Sequence, residues 1–401
     1  MSPRTDDALA TPKRDDDEPL LKLFRVVLTV SAISWGGLAL MAQLEQHYVA
    51  RERRLTQTAF SDLVALAWMV PGPVGCNVAV QLGHALRGRT GAWAAGVASV
   101  LPFFTVMTVF AAFYRTPLVH GAASRTLLDR FSVVLAMLIA VTWYRQTCAL
   151  VRGPLEWGVA LAACVALALA ASGAAYVVVL LLAFAVGWLV SPVPSQRLDM
   201  RVTRRDVRLL AVLAALIAMF ALPLPQRLDA ALLWPRLAGA GMTLFGGGFS
   251  ALPVLKTLFV TPAVGISNDD FTLAFTLSPL SPGPLLNVVP FFGYLVDGWT
   301  GALVATLALF VPSGCLVVLA RRHVHGMSAN PRFEHAMSVL RAATTAFLAI
   351  AVWHIVRRVP LHPSYLLTAL FAAMCFGKLK LPAYAVYATV GLACGAWVLL
   401  T

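Results

Sequence analysis

Apolar stretches of roughly bilayer length follow one another for over 300 residues of this chain, with only short polar breaks between them. A helix needs about 20 consecutive apolar residues to cross the hydrocarbon core of a membrane. Only 12% of the residues are charged, against about 25% in soluble domains. With 59% hydrophobic residues and a mean hydropathy of +0.79, a soluble helical protein with a greasy core is excluded.

Periodicity and composition place apolar segments at 20–44, 58–86, 91–114, 127–150, 155–171, 173–191, 207–222, 237–260, 269–296, 299–320, 335–356, 363–377 and 381–400. If each crosses once, the chain is an all-α polytopic membrane protein with about 13 transmembrane segments. The basic loops "RLDMRVTRRDVR" after 191 and "RRHVHGMSANPR" after 320 then put the N-terminus in the cytoplasm. On that path "RERR" (Arg51 to Arg54) falls on the outer face.

Residues 1–19 are charged and lack an apolar core, which reads as a disordered cytoplasmic tail and not a signal peptide. The net charge of +13 reflects Lys and Arg kept in cytoplasmic loops, and no nucleic-acid partner is expected. Cys76, Cys148, Cys164, Cys315, Cys375 and Cys394 all lie in apolar stretches without metal-ligand spacing, so they read as packing residues. No metal or cofactor is expected, and no motif of an enzyme can be placed.

The chain repeats itself at an offset of about 210 residues. "SWGG" at Ser34 matches "LFGG" at Leu244, and "MVPGPVGCN" at Met69 matches "LSPGPLLN" at Leu280. Gly83 matches Gly293, "GA" at Gly91 matches "GA" at Gly301, and "LPF" at Leu101 matches "VPS" at Val311. The expected division is a tail over 1–19, a first membrane repeat over 20–191, a linker with one extra segment over 192–236, and a second repeat over 237–401. Six segments plus one is an odd number, so the second repeat is expected to be inverted, a recurrent plan of secondary transporters.

Both repeats carry Pro-Gly-Pro at the same place, Pro71-Gly72-Pro73 and Pro282-Gly283-Pro284. Proline ends a helix, and glycine gives the backbone freedom for a break. A break in lipid leaves backbone groups unpaired unless it faces protein or a cavity. The new helix N-termini offer free N–H groups and partial positive charge, which suits an anion. Asn77, Gln81, Ser278, Ser281 and Asn287 add polar groups beside the breaks. Two breaks from inverted halves would meet near the midplane, a setting for a small oxyanion.

"LFGGGFSALPVLKTLFV" (Leu244 to Val260) is a second candidate. Gly246, Gly247 and Gly248 permit unwinding or close helix approach. Lys256 is read as the only Lys or Arg inside a spanning segment, a costly placement that points to function unless the side chain snorkels to an interface. Arg87 and Arg89 end the first broken helix, where they complement its C-terminus or form a cytoplasmic anion funnel. Glu45, Asp62, Asp129 and Asp297 lie near segment ends and could each carry a proton. His47, His84 and His354 receive no role.

At these motifs the chain resembles the two-domain, long-chain type of the chromate ion transporter family. "FGGG" (Phe245 to Gly248) followed by Leu252-Pro253 and Leu255 is similar to that family's second-half motif. Its Pro-Gly-Pro in both halves corresponds to Pro71 to Pro73 and Pro282 to Pro284, and the similarity spans about 20–400. The first half departs from the family's "FGGP" and Ala-His, reading "SWGGLALMAQ" instead. The resemblance implies a bacterial inner-membrane secondary transporter that exports chromate and confers resistance. A sulfate or other oxyanion carrier, and a membrane-embedded enzyme or lipid-handling protein, are the alternatives. The bilayer is the expected surrounding, and a homodimer is left open.

Overall fold

The segments fold as helices because lipid offers no partner for an unpaired backbone group. The computed structural model of the chain describes residues 18–114, 122–170, 172–192, 203–245, 248–328, 330–357 and 362–400. The expected tail therefore lies outside the described residues, apart from Glu18 and Pro19.

The first two apolar segments do not run straight. Helix α1 (Leu20–Ile33) stops at Ser34, and α2 (Gly37–Glu45) returns, widening into a π-helical turn over Gln46–Arg51. The return is fixed by contacts between the two ends. Lys22, near the start of α1, donates to Glu52 at 2.9 Å, and Arg54 lies 3.4 Å from Glu18. Helix α3 (Gln57–Met69) starts with Thr56 capping the amide of Ala59 and breaks at Pro71-Gly72-Pro73. The first arm of α4 (Val74–Tyr114) then folds back beside it, since Gln81 donates to the carbonyl of Leu63 at 3.0 Å. Both broken segments are thus hairpins that enter and leave by one end.

Helix α4 reverses once more. Arg87 and Gly88 leave helical geometry, and Gly88 takes a φ of +60°. A Cβ at Gly83 would lie 2.2 Å from the Gly91 carbonyl, and the same distance separates a Gly91 Cβ from the Gly83 carbonyl. Only glycine lets the two arms, 74–86 and 89–114, touch this closely. Helices α5 (Ala122–Leu150), α6 (Pro154–Leu169) and α7 (Gly173–Val190) complete the first half, and α8 (Arg204–Ala221) leads to the second.

The second half repeats the plan. Helices α9 (Gln226–Ala231) and α10 (Leu233–Gly241) lead in, and α11 (Ala251–Phe259) leads out. Helix α12 (Asn268–Leu277) meets the second Pro-Gly-Pro, and the first arm of α13 (Val289–Ser328) folds back, stacking Phe292 on Phe271 at 4.9 Å. The turn at Asp297-Gly298 copies the one at Arg87-Gly88, and Gly293 and Gly301 touch as Gly83 and Gly91 do. Helices α14 (Pro331–Val356), α15 (Pro363–Gly377) and α16 (Ala383–Leu400) follow.

The halves are inverted. The turn at Arg87 is bonded to the Glu18 carbonyl at 2.7 Å, which marks the N-terminal end of the bundle. From there residues 89–114 rise about 1.5 Å each and cross to the far end. At that far end Tyr114 donates to Asp270 at the start of α12. The second Pro-Gly-Pro hairpin therefore enters from the face opposite to the first.

Five helices among the described residues are long and apolar enough to cross a membrane, and α6, α15 and α16 are shorter apolar helices. All thirteen apolar segments are present. Four of them (20–44, 58–86, 237–260 and 269–296) fold at their breaks instead of passing through, which corrects the path with a single crossing for each. Arg54 accordingly sits beside Glu18 at the same end of the bundle as the N-terminus, whereas the single-crossing path put "RERR" at the opposite end.

Packing between helices follows the rule for lipid, where close approach by small residues replaces the hydrophobic drive. Helix α14 packs on α5, α6 and α7 through buried Ala336, Ala342, Ala343 and Ala346. A Cβ at Gly187 of α7 would sit 2.8 Å from Ala336 Cα. Large side chains such as Leu169, Leu181, Leu370 and Leu392 are exposed on the periphery, where lipid covers them.

Candidate functional site

The four breaks converge at the centre of the bundle. Gly36 donates to the Gly283 carbonyl at 3.1 Å, and Gly283 donates back to Ser34 at 2.9 Å. The repeat-related contact is Gly72 donating to Leu244 at 2.7 Å. Each Pro-Gly-Pro of one half thus pairs its glycine amide with the glycine-rich break of the other half. This pairing satisfies backbone groups that helix termination leaves open in lipid.

Gly72 and Gly283 have φ of +119° and +97°, values that side-chain-bearing residues rarely adopt. Each is also covered from the other half by repeat-related residues. A Cβ at Gly72 would lie 2.0 Å from Ser313 Oγ, and one at Gly283 would lie 2.7 Å from Phe103 Cδ1. Phe103 and Ser313 are the third residues of the matched "LPF" and "VPS".

The two ends of the node are unequal, with Ser278 beside Asn287 where the first half has Ala67. In the second half Ser278 donates to Asn287 Oδ1 at 2.5 Å, and Asn287 Nδ2 donates to the Ser278 carbonyl at 2.9 Å. Both polar atoms of the Asn287 amide are engaged, Ser281 donates to the Pro282 carbonyl, and Phe103 fills the space above. In the first half the Ser313 hydroxyl lies 2.7 Å from the Pro71 carbonyl and 2.9 Å from Asn77 Oδ1. Asn77 Nδ2 is buried and has no partner. A hydroxyl has one proton for two acceptors. An anion accepting from Nδ2 would fix the amide with Oδ1 toward Ser313.

Asn77 stands in the first turn of the arm 74–86, its own amide bonded to the Pro73 carbonyl at 2.9 Å, and the amides before it have no carbonyl of their own helix to bond. Proline supplies the start, as Pro73 has no N–H to lose. Asn77 and Cys76 line the inner end of a cavity of about 490 Å³, with Ser99 and Thr306 nearby. Its other end, toward the N-terminal face, is lined by His84, Arg89, Arg205 and Asp206. The arrangement can offer a small anion N–H donors from a helix start and one amide, without a buried counter-charge.

The remaining sequence candidates are distributed more widely. Gln81 ties the two arms of its hairpin, and its Oε1 is buried without a partner. Arg321 of the second half donates to the Gln81 carbonyl at 3.1 Å, a link the sequence alone did not suggest. Arg87 is bound to the Glu18 carbonyl, whereas Arg89 lines the cavity. Gly248 lies in a single 3₁₀ turn at the second-half break; Gly246 and Gly247 lie outside the described residues. Lys256 stands in the last turn of α11, beside Thr272 and His354, away from Asn77 and toward the far end.

Sequence reading also passed over Arg341, which lies inside α14 with its Nε buried and unpartnered. Lys256 is therefore not alone among basic residues in spanning segments. At the N-terminal end Glu52 receives Lys22 on both oxygens, at 2.8 and 2.9 Å. The Lys22 ammonium holds the Glu52 carboxyl below the usual carboxylate range, against an opposing push from burial.

Comparison with known proteins rests on the same two halves. The family model described as chromate transporter matches residues 21–188 and again 231–397. The chain belongs to the chromate transporter family. It is 25% identical over 349 residues to a chromate transport protein of Pseudomonas aeruginosa, covering 82% of this chain and 79% of that one. It is 25% identical to a probable chromate transport protein of Synechococcus elongatus, covering 90% and 92% of the two chains. A chromate transport protein of Cupriavidus metallidurans is 28% identical, over 75% and 73%. No solved structure matches the chain. The second copy of the family match begins about 210 residues after the first, the offset of the repeat.

Proposed function

We propose that this family member is a secondary transporter that exports chromate across the bacterial inner membrane and so confers chromate resistance. The dianion is held at the first-half break, by the open amides at the start of residues 74–86 and by the Asn77 side chain. The observation that carries this reading is the buried, unpartnered Asn77 Nδ2 at the inner end of the cavity. Membership of a family whose relatives carry the name chromate transport protein supports the substrate class.

The N-terminal end is cytoplasmic in this reading. Arg53, Arg54, Lys378 and Lys380 lie in loops or turns at that end, and Arg89 and Arg205 at helix starts there, as the positive-inside rule requires. The cavity then opens toward the cytoplasmic leaflet, where an exporter loads its substrate.

Uptake of radiolabelled chromate into inside-out vesicles tests the proposal. Wild-type vesicles should accumulate chromate, and Asn77→Leu vesicles carrying the same amount of protein should not. Accumulation of sulfate but not chromate would move the substrate to another tetrahedral dianion. Equal uptake by wild type and Asn77→Leu would remove the first-half break from the site.

A further inference from the structure

The cavity above Asn77 is much larger than a tetrahedral dianion requires, and its shape and lining point elsewhere. At about 490 Å³ it falls within the size range of sites for extended organic ligands. It runs between residues 89–104 of the first half and 303–319 of the second. Most of the wall is apolar. Trp93, Val97, Leu303 and Leu307 line it and keep about half their surface exposed, at 59%, 51%, 51% and 49%. In a chain whose periphery lies in lipid, such an opening faces the bilayer.

One end of this groove is cationic. Arg89 begins the long arm of α4, and Arg205 begins α8, both at the N-terminal face. Among the described residues, neither side chain has a hydrogen bond or ion pair. Asp206 is buried and turned back to cap its own helix, accepting from the Thr203 amide at 3.0 Å and hydroxyl at 2.7 Å.

We propose that the groove binds an anionic phospholipid of the leaflet at the N-terminal face. One acyl chain lies along Trp93, Val97, Leu303 and Leu307, and the phosphate sits between Arg89 and Arg205. Basic pockets between membrane helices hold lipid headgroups through this combination of charge and apolar wall. A free oxyanion would gain nothing from the apolar part and would lose its hydration there. A second copy packed through the same face, about an axis normal to the membrane, would bring like charges together at one level. The bound lipid forms the outer wall of the chamber that ends at Asn77. Its binding does not depend on which anion the protein carries.

Native mass spectrometry of the full-length protein in detergent tests this, with phosphatidylglycerol or phosphatidylcholine added at equal concentration. The wild type should retain one phosphatidylglycerol several-fold more than phosphatidylcholine. Arg89→Ala with Arg205→Ala should lose that preference, and Arg89→Lys with Arg205→Lys should keep it. Val97→Trp with Leu303→Trp should lose retention of both lipids. Thermal melting and size exclusion check that each variant is folded. Equal retention of the two lipids by the wild type would overturn the proposal. So would unchanged retention by folded charge-removed and groove-filled variants, or crosslinking of Leu303→Cys between two copies at a yield that added lipid does not lower.

Discussion

The Ser313 hydroxyl, in the second half of the chain, lies 2.9 Å from the Asn77 side chain in the first. The two residues are more than 230 positions apart, yet Ser313 also covers Gly72 and bonds the Pro71 carbonyl. Its repeat mate Phe103 covers Gly283 with a ring and offers no hydrogen bond. Ser278 engages both polar atoms of Asn287, and the position that matches it in the first half is Ala67, so one break keeps an open amide nitrogen and the other does not. An inverted pair of repeats becomes a protein with a single candidate site.

Asn77→Leu should weaken anion binding at constant fold. Hydrogen bonds to charged groups are worth about 1.5–3 kcal/mol, so affinity should fall by roughly 10- to 150-fold. Asn77→Asp should fall further, because a carboxylate repels the dianion. Isothermal titration with chromate on purified protein measures both. Tighter or equal binding by Asn77→Asp would place the anion elsewhere.

Gly72→Ala should be among the most damaging single changes at the node. The residue would hold a φ of +119° and place its methyl group 2.0 Å from Ser313 Oγ. Adding Ser313→Gly removes the collision but not the backbone strain, so it should restore stability only in part. Melting temperatures of the single and double variants decide this. Full rescue by Ser313→Gly would show that the backbone at Gly72 is relaxed with a side chain.

Gly83→Ala and Gly293→Ala should each destabilise the protein by about 1–3 kcal/mol, the usual cost of overpacking. At both positions an added Cβ meets a backbone oxygen, at 2.2 and 2.3 Å, and a backbone cannot step aside as a side chain can. Gly158→Ala is the control, since nothing lies within 4 Å of its added Cβ. Thermal melts in detergent should separate the first two variants from the control by several degrees. Three equal melting temperatures would contradict the tight hairpins.

Much of this architecture was legible in the sequence. The apolar segments, the offset of about 210 residues and the paired Pro-Gly-Pro breaks all appear in the fold. The direction of the chain after each break was not legible. A stretch such as 58–86 is long enough for one tilted crossing or for two half-length arms, and hydropathy is identical in both cases. The deciding contacts, Gln81 to Leu63 and Lys22 to Glu52, join residues from opposite ends of a segment. One signal was available: a path with every segment crossing left Arg51 to Arg54 on the outer face against the charge rule. Each half has two folded segments, so the parity that implied inversion is unchanged. The inequality of Asn77 and Asn287 lies in the sequence as Ser278 against Ala67, but that Ser278 bonds Asn287 depends on the turn between them, which the pattern does not fix.

The latch at the N-terminal end makes a pH prediction. Lys22 holds the Glu52 carboxyl below its usual range, so the native state favours the ionised form. Its stabilising contribution is complete above the ordinary carboxylate value of about 4.3 and fades as pH falls through the lower native value. Wild type should melt higher than Glu52→Gln at pH 7, and the difference should close toward pH 3. A gap that stays constant over that range would mean the ion pair contributes nothing to the fold.

The driving force gives the last prediction. Moving one charge through a membrane potential is worth about 2.3 kcal/mol per 100 mV. A dianion leaving a cell that is negative inside therefore gains about 4.6 kcal/mol per 100 mV. At about 1.4 kcal/mol for each tenfold ratio, that supports a concentration ratio above a thousandfold. Export of such an ion needs no nucleotide and no proton, whereas import would have to carry two or more positive charges with each anion. The proposed site is built from backbone amides and the Asn77 amide, groups that do not titrate between pH 5 and 8. No carboxylate is among the residues at the inner end of the cavity. Purified protein in sealed liposomes should thus move chromate toward the positive side when a potassium-diffusion potential is imposed at equal pH and equal chromate on both sides. The flux should reverse when the potential is reversed, and it should be lost in Asn77→Leu. Flux that ignores the potential and follows an imposed pH gradient would instead assign coupling to a titrating group such as Asp129 or Asp297.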